Sequence, residues 1–331
     1  MKISVVSHDA GCSELLCALI DHERTCAKWH IYTTATSPMA SVCSKYALPF
    51  EVITDPVRQL ESDTPDLLLF GTGWQERIER PFVNHCKKHR IPTVAFLDHW
   101  SNYRERFGFP DKGWEENLGD FTALSDPKAF ELAQNHGLPS TLKMVNHYLI
   151  NTLKNASRVK VTSKNTLLFL SEPTASVAQK TYSDPLYWGF TQFSALEEIL
   201  NRFDDFGCDT LTIRLHPSDT AEGYRELLDR FRHIPVSIYH SWEIDLNAQL
   251  MESKIVIGFD TMALYIGALL GKSVISYLPS SNRDFLLPLP QSRQLRALDE
   301  LPRCLNEPIE LKLDNFGMDF ASFLKIVTGK H

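Results

Sequence analysis

The sequence contains no CxxC pair, and its seven cysteines, at 12, 17, 26, 43, 86, 208 and 304, form an odd set. That excludes a disulfide framework and suits reduced thiols. Basic side chains are also scarce. The 34 Lys and Arg stand against 41 Asp and Glu, for a formal net charge of -7. Nucleic acid, which demands a clustered basic face, is therefore not the expected partner. The apolar, charge-free stretch 261–271 covers about half of the ~20 residues that cross a bilayer, and His8, Asp9 and Glu14 interrupt the run that a secretory signal requires. A cytoplasmic protein with at most peripheral contact with the inner membrane is expected. P-loop, GxSxG, HExxH and GxGxxG motifs are missing as well, so the nucleotide-cofactor and hydrolase classes they mark are not expected.

At 331 residues, 43% hydrophobic and 23% charged, the chain has the composition of an ordinary globular protein and about twice the length of a typical domain. Two domains are expected, 1–155 and 156–331. Cys12, Cys17, His22 and Cys26 have the residue types of a metal site. On a helix, however, steps of five turn the side chain by roughly 140°, so the first three do not converge, and no metal is expected.

Short apolar runs closed by polar or Gly residues recur at 2–7, 29–33, 51–54, 67–70 and 93–97, with helical spacing at 13–20 and 77–89. Stretch 101–142 loses the pattern and reads as a long functional loop. The polar, basic segment 151–165 is the expected connection. A second series follows at 166–170, 210–215, 235–239, 255–258 and 273–277, with the clearest helices at 194–203 and 221–231. The fold class implied is α/β, with two tandem Rossmann-like domains and a ligand cleft between them at the carboxyl ends of both sheets.

Five segments carry the candidate chemistry. The strand ending Arg214-Leu215-His216-Pro217 presents an imidazole at a sheet edge because proline stops the ladder; there it donates to a phosphate oxygen, or simply bonds a neighbouring carbonyl. Asp260-Thr261 opens an apolar helix, where a hydroxyl and free N–H groups receive an anion or merely cap the helix. Ser171-Glu172 ends the second half's first strand. Asp98 follows an apolar strand and is joined by His99, Trp100, Tyr103 and Arg104, so that a carboxyl desolvated by the aromatic rings and raised in pKa acts as general base. Finally, His8-Asp9-Ala10-Gly11 pairs a second candidate acid with a glycine that admits close approach.

In order and spacing, these motifs resemble GT-B glycosyltransferases, and within them the bacterial sialyltransferases and related enzymes that use CMP-activated sialic-acid-like sugars or Kdo. The resemblance rests on His216-Pro217, Asp260-Thr261 and Asp98. It implies a metal-independent, inverting transfer from a CMP-linked donor, with no other cofactor, to a glycan or lipid-linked glycan in surface polysaccharide synthesis. His216, Pro217, Arg214, Ser171, Glu172, Asp260 and Thr261 would hold the nucleotide, and His8, Gly11, His99, Trp100, Tyr103 and Arg104 the acceptor. Asp98 would be the base and Asp9 its competitor. The chain carries Asp98-His99-Trp100 where those families often have an acidic pair and glycine, and one hydroxyl at Thr261 where two are usual. Three alternatives stand beside this reading: transfer of a CDP-linked polyol phosphate, UDP-sugar 2-epimerisation, and a non-catalytic nucleotide- or glycan-binding subunit.

Overall fold

The computed structural model describes residues 1–73, 76–160, 162–313 and 317–329. They form two compact units, one built from Met1–Asn151 and the C-terminal segment, the other from Thr152–Leu313.

The first unit holds a parallel sheet of strands β1 (Lys2–Val6), β2 (Lys28–Thr33), β3 (Glu51–Val52), β4 (Leu67–Gly71), β5 (Thr93–Phe96), β6 (Phe121–Leu124) and β7 (Thr141–Lys143), in the order β3-β2-β1-β4-β5-β6-β7. Central strands of such a sheet are covered on both faces, and Leu67–Gly71 is accordingly apolar and buried throughout. Stretch 101–142 is not one long loop. It contains β6, β7 and the helix Pro127–Asn135, which starts on proline and is capped by the Asp126 carboxylate accepting from Ala129 N–H.

In the second unit β8 (Thr166–Leu170), β9 (Thr210–Leu215), β10 (Val236–His240), β11 (Ile255–Gly258), β12 (Ser273–Tyr277) and β13 (Gln294–Leu295) lie in the order β10-β9-β8-β11-β12-β13, again all parallel. Its core gathers alternate residues of β8, β9 and β11 with helix Gln192–Asn201 and the rings of Phe169, Tyr224 and Phe259.

The boundary differs from the expected split at 155/156. Helix His147–Ala156 runs through the start of the expected connection, and Val161, within that connection, lies outside the described residues. The C-terminal helix Phe320–Thr328, expected with the second half, buries Phe320, Phe323 and Val327 in the first unit's core beside Trp29 and Phe96. Its apolar face fits a surface that the first unit's own residues leave open. Among the described residues no helix is long and apolar enough to cross a membrane.

Candidate functional site

Strand order reverses between β1 and β4 in the first unit and between β8 and β11 in the second. In open parallel sheets ligands bind at the carboxyl ends beside such reversals. Every sequence candidate except Arg214 lies in a loop or helix start that follows one of the strands.

In the first unit the chain leaves β1 through Ser7, His8 and Asp9. Asp9 stands at the N-cap of helix Ala10–His22, yet its carboxylate makes no capping bond. Its Oδ1 is 3.1 Å from His8 Nδ1, and it rests over Gly73, where a Cβ would fall 2.1 Å from Oδ2. Asp98, after β5, rests over Gly11 in the same way, with a Cβ there only 1.7 Å from its Oδ2. Gly11 thus makes room for a carboxylate rather than for a ligand. Asp98 Oδ1 accepts from Arg106 Nη1 at 2.7 Å and from the Cys12 thiol at 3.2 Å. Arg106, 7% exposed, also donates to Thr72 O and Ser101 O. Burial pushes the Cys12 thiol well up and keeps it a neutral donor.

Burial by itself raises the Asp98 carboxyl, but the Arg106 guanidinium, His99 and the hydrogen bonds from Arg106 and Cys12 outweigh it and hold the pKa below the usual carboxylate value. The expected raised pKa is thus corrected: the desolvation is present, but the Arg106 guanidinium against the carboxylate reverses its effect. Trp100 is 4% exposed and donates from Nε1 to both Asp126 oxygens at 3.0 Å, while the Tyr103 hydroxyl bonds Ala129 O. Arg104 Nε is spent on His136 O at 2.8 Å. These three expected acceptor ligands brace the loop against helix Pro127–Asn135. His8 and His99 are half-buried, with His99 Nδ1 3.1 Å from Ser101 Oγ.

One group escaped the sequence reading. Glu79, ahead of helix Arg80–Lys88, is buried, and desolvation, with the nearby Asp9 charge adding to it, lifts its pKa to about 8. Burial brought about by the fold causes the shift, and no local motif announces it.

In the second unit, His216, Glu172 and Thr261 come off the carboxyl ends of the adjacent strands β9, β8 and β11. His216 is exposed, as is Pro217. Its Nδ1 accepts from Ser218 N–H at 3.2 Å and lies 2.8 Å from Ser218 Oγ. An Nδ1 that accepts leaves the proton of the neutral ring on Nε2, as a donor. Desolvation lowers the His216 pKa against the pull of Asp219. Thr261 takes the N-cap of helix Met262–Leu269, Oγ1 accepting from Ala263 N–H at 3.4 Å. Burial raises the Glu172 carboxyl, opposed by Arg283, whose Nη1 is 3.7 Å away.

The other three candidates in this unit are structural. Arg214 donates to Ile244 O, Gln249 Oε1 and Ser241 O and so clamps the segment after β10. Ser171 is joined to Asp219 and Tyr224, tying the ends of β8 and β9 together. Asp260 is buried, its Oδ1 accepting from Leu286 N–H and Ser276 Oγ, with Arg283 Nε 3.6 Å from Oδ2. The dual reading of Asp260-Thr261 divides accordingly: Thr261 caps at the edge and Asp260 anchors the core. Cys12, Cys17, His22 and Cys26 do not form one cluster, since Cys12 faces Asp98 and Cys17 lies 3.8 Å from Cys43 Sγ.

No protein-family model and no curated protein sequence matches the chain. Solved structures do. UDP-GlcNAc 2-epimerase from Neisseria meningitidis bound to UDP-GlcNAc superposes with a TM-score of 0.66 at 14% identity, over 99% of either chain. The UDP-GlcNAc 2-epimerase of Methanocaldococcus jannaschii gives 0.64 at 14%, over 99% of this chain and 100% of that one. Anabaena Alr3699/HepE in complex with UDP and glucose gives 0.54 at 12%, over 84% and 80%. The chain has the GT-B fold that these proteins share.

Proposed function

We propose that the chain is an enzyme acting on a UDP-linked sugar, in the manner of a 2-epimerase. The observation that carries this is the row His216, Glu172 and Thr261 at the second unit's strand reversal. The row combines an Nε2–H donor, a helix N-terminus for the diphosphate, and a carboxyl for a sugar or ribose hydroxyl. The bound UDP-GlcNAc and UDP of the similar structures support uridine over cytidine, and nothing supports a CMP-linked acidic sugar. Inverting C2 requires a proton to leave that carbon and return on the other face. The C–H is not acidic alone, so UDP leaves C1 with the C1–O electron pair while the C–H pair forms the C1=C2 bond. UDP adds back to C1 as the proton returns to C2 on the other face, and groups that steady a leaving phosphate serve epimerase and transferase alike. Asp98, held ionised by Arg106, is the proposed proton acceptor, with Asp9 its neighbour on the same edge.

The test is incubation with UDP-GlcNAc in D2O without any acceptor. Deuterium entering C2, with a second UDP-sugar appearing by proton NMR, is the expected result, and His216→Ala slows it by about 10²-fold or more. Thermal stabilisation by CMP with none by UDP overturns the reading.

A further inference from the structure

A cluster in the first unit plays no part in the chemistry above. His22 ends helix Ala10–His22, Glu23 follows it, and His147 begins helix His147–Ala156. One ligand atom from each lies within 4.8 Å of the others. The two imidazoles stack with centroids 4.0 Å apart and planes inclined by 23°, and His22 Nε2 is 3.8 Å from Glu23 Oε1. The other carboxylate oxygen, Glu23 Oε2, receives the exposed Cys26 thiol at 2.8 Å.

We infer that His22, Glu23 and His147 form a site for a divalent transition ion of the zinc class. The donor set of two imidazole nitrogens and a carboxylate oxygen suits zinc and not magnesium or calcium, which take oxygen ligands. Ligand atoms in a tetrahedral zinc site stand about 3.3 Å apart, so side-chain rotation closes the remaining distance. The backbone beneath is already fixed. Glu23 N–H bonds Leu19 O, while Glu23 O accepts from Cys26 N–H and from Trp29 Nε1. The ion enters from solvent, since His22 is exposed and His147 half-buried. Helical spacing separates His22 from Cys12 and Cys17, whereas the fold brings it against His147, far along the chain.

The experiment titrates the tag-free full chain with Zn2+ by calorimetry and with Co2+ by visible absorption. One equivalent is expected to bind, with His22→Ala and His147→Gln each weakening it by at least about tenfold. His233→Ala, an exposed histidine elsewhere, leaves it unchanged. Bound Zn2+ raises Tm in the parent chain and not in His22→Ala, whose exposed side chain makes loss of folding no explanation. Failure of the parent chain to bind, or stoichiometric binding that survives both substitutions, overturns the inference. Activity on UDP-sugars does not enter either arm.

Discussion

At the scale of single residues, the first unit sets two carboxyls in opposite protonation states. Asp98 is ion-paired with Arg106 and held low; Glu79 is desolvated and lifted to about 8. Glu79 sits near 4.3 when unfolded, so at acid pH, where the carboxyl is neutral in both states, its ionisation adds no penalty to folding. Above about pH 4.3 folding must take up a proton, and stability falls by about 1.4 kcal/mol per pH unit until about pH 8. Glu79→Gln should therefore match the parent below pH 4 and exceed it increasingly toward pH 8 in urea unfolding. A constant difference across that range contradicts the assignment. Neither state was legible in the sequence. The Asp98 position was visible as the end of an apolar run, but its partner Arg106 lies eight residues on in an aromatic, Gly-rich stretch with no period. Arg106 stands among the polar and aromatic residues after Asp98, but nothing in the sequence shows that it, rather than the rings of Trp100 and Tyr103, sets the carboxyl's protonation.

At the scale of elements, Asp126 joins two segments. It caps helix Pro127–Asn135 through Ala129 N–H and at the same time receives Trp100 Nε1. Asp126→Ala removes a cap, at about 1 kcal/mol, and leaves a buried indole N–H unsatisfied, at about 1–3 kcal/mol. A loss of at least about 2 kcal/mol is expected, with Asp126→Asn, an equally good cap, recovering most of it in the same denaturant titration. Central strands were readable because burial on both faces makes them continuous apolar runs, as in Leu67–Gly71 and Thr166–Leu170. β6 and β13 were not. Phe121–Leu124 lies within the aromatic, Gly- and Pro-containing stretch 101–142, which hides its apolar run, and Gln294–Leu295 is a two-residue strand between Arg293 and Arg296 with no apolar run to show. At the second unit's edge, three-dimensional bonding decides which of the expected side chains are spent on the fold: Ser171, Arg214 and Asp260 are.

At the scale of the whole molecule, the order of apolar runs was enough to give two parallel units, whereas the destination of the last helix was not. Its apolar face fits either half by pattern, and only the uncovered surface beside Trp29 and Phe96 selects one. Ending the chain after residue 313 should strip Phe320, Phe323 and Val327 from the first core and lower its unfolding midpoint sharply. Calorimetry checks this, and a truncated chain with an unchanged unfolding midpoint contradicts the packing.

The helix Phe320–Thr328 also bears on how the molecule is made. A ribosome delivers the whole of Thr152–Leu313 before the residues that complete the first core have been synthesised. The first unit's core thus closes only after the second unit has been made, and while Thr152–Leu313 is synthesised the surface beside Trp29 and Phe96 stays bare.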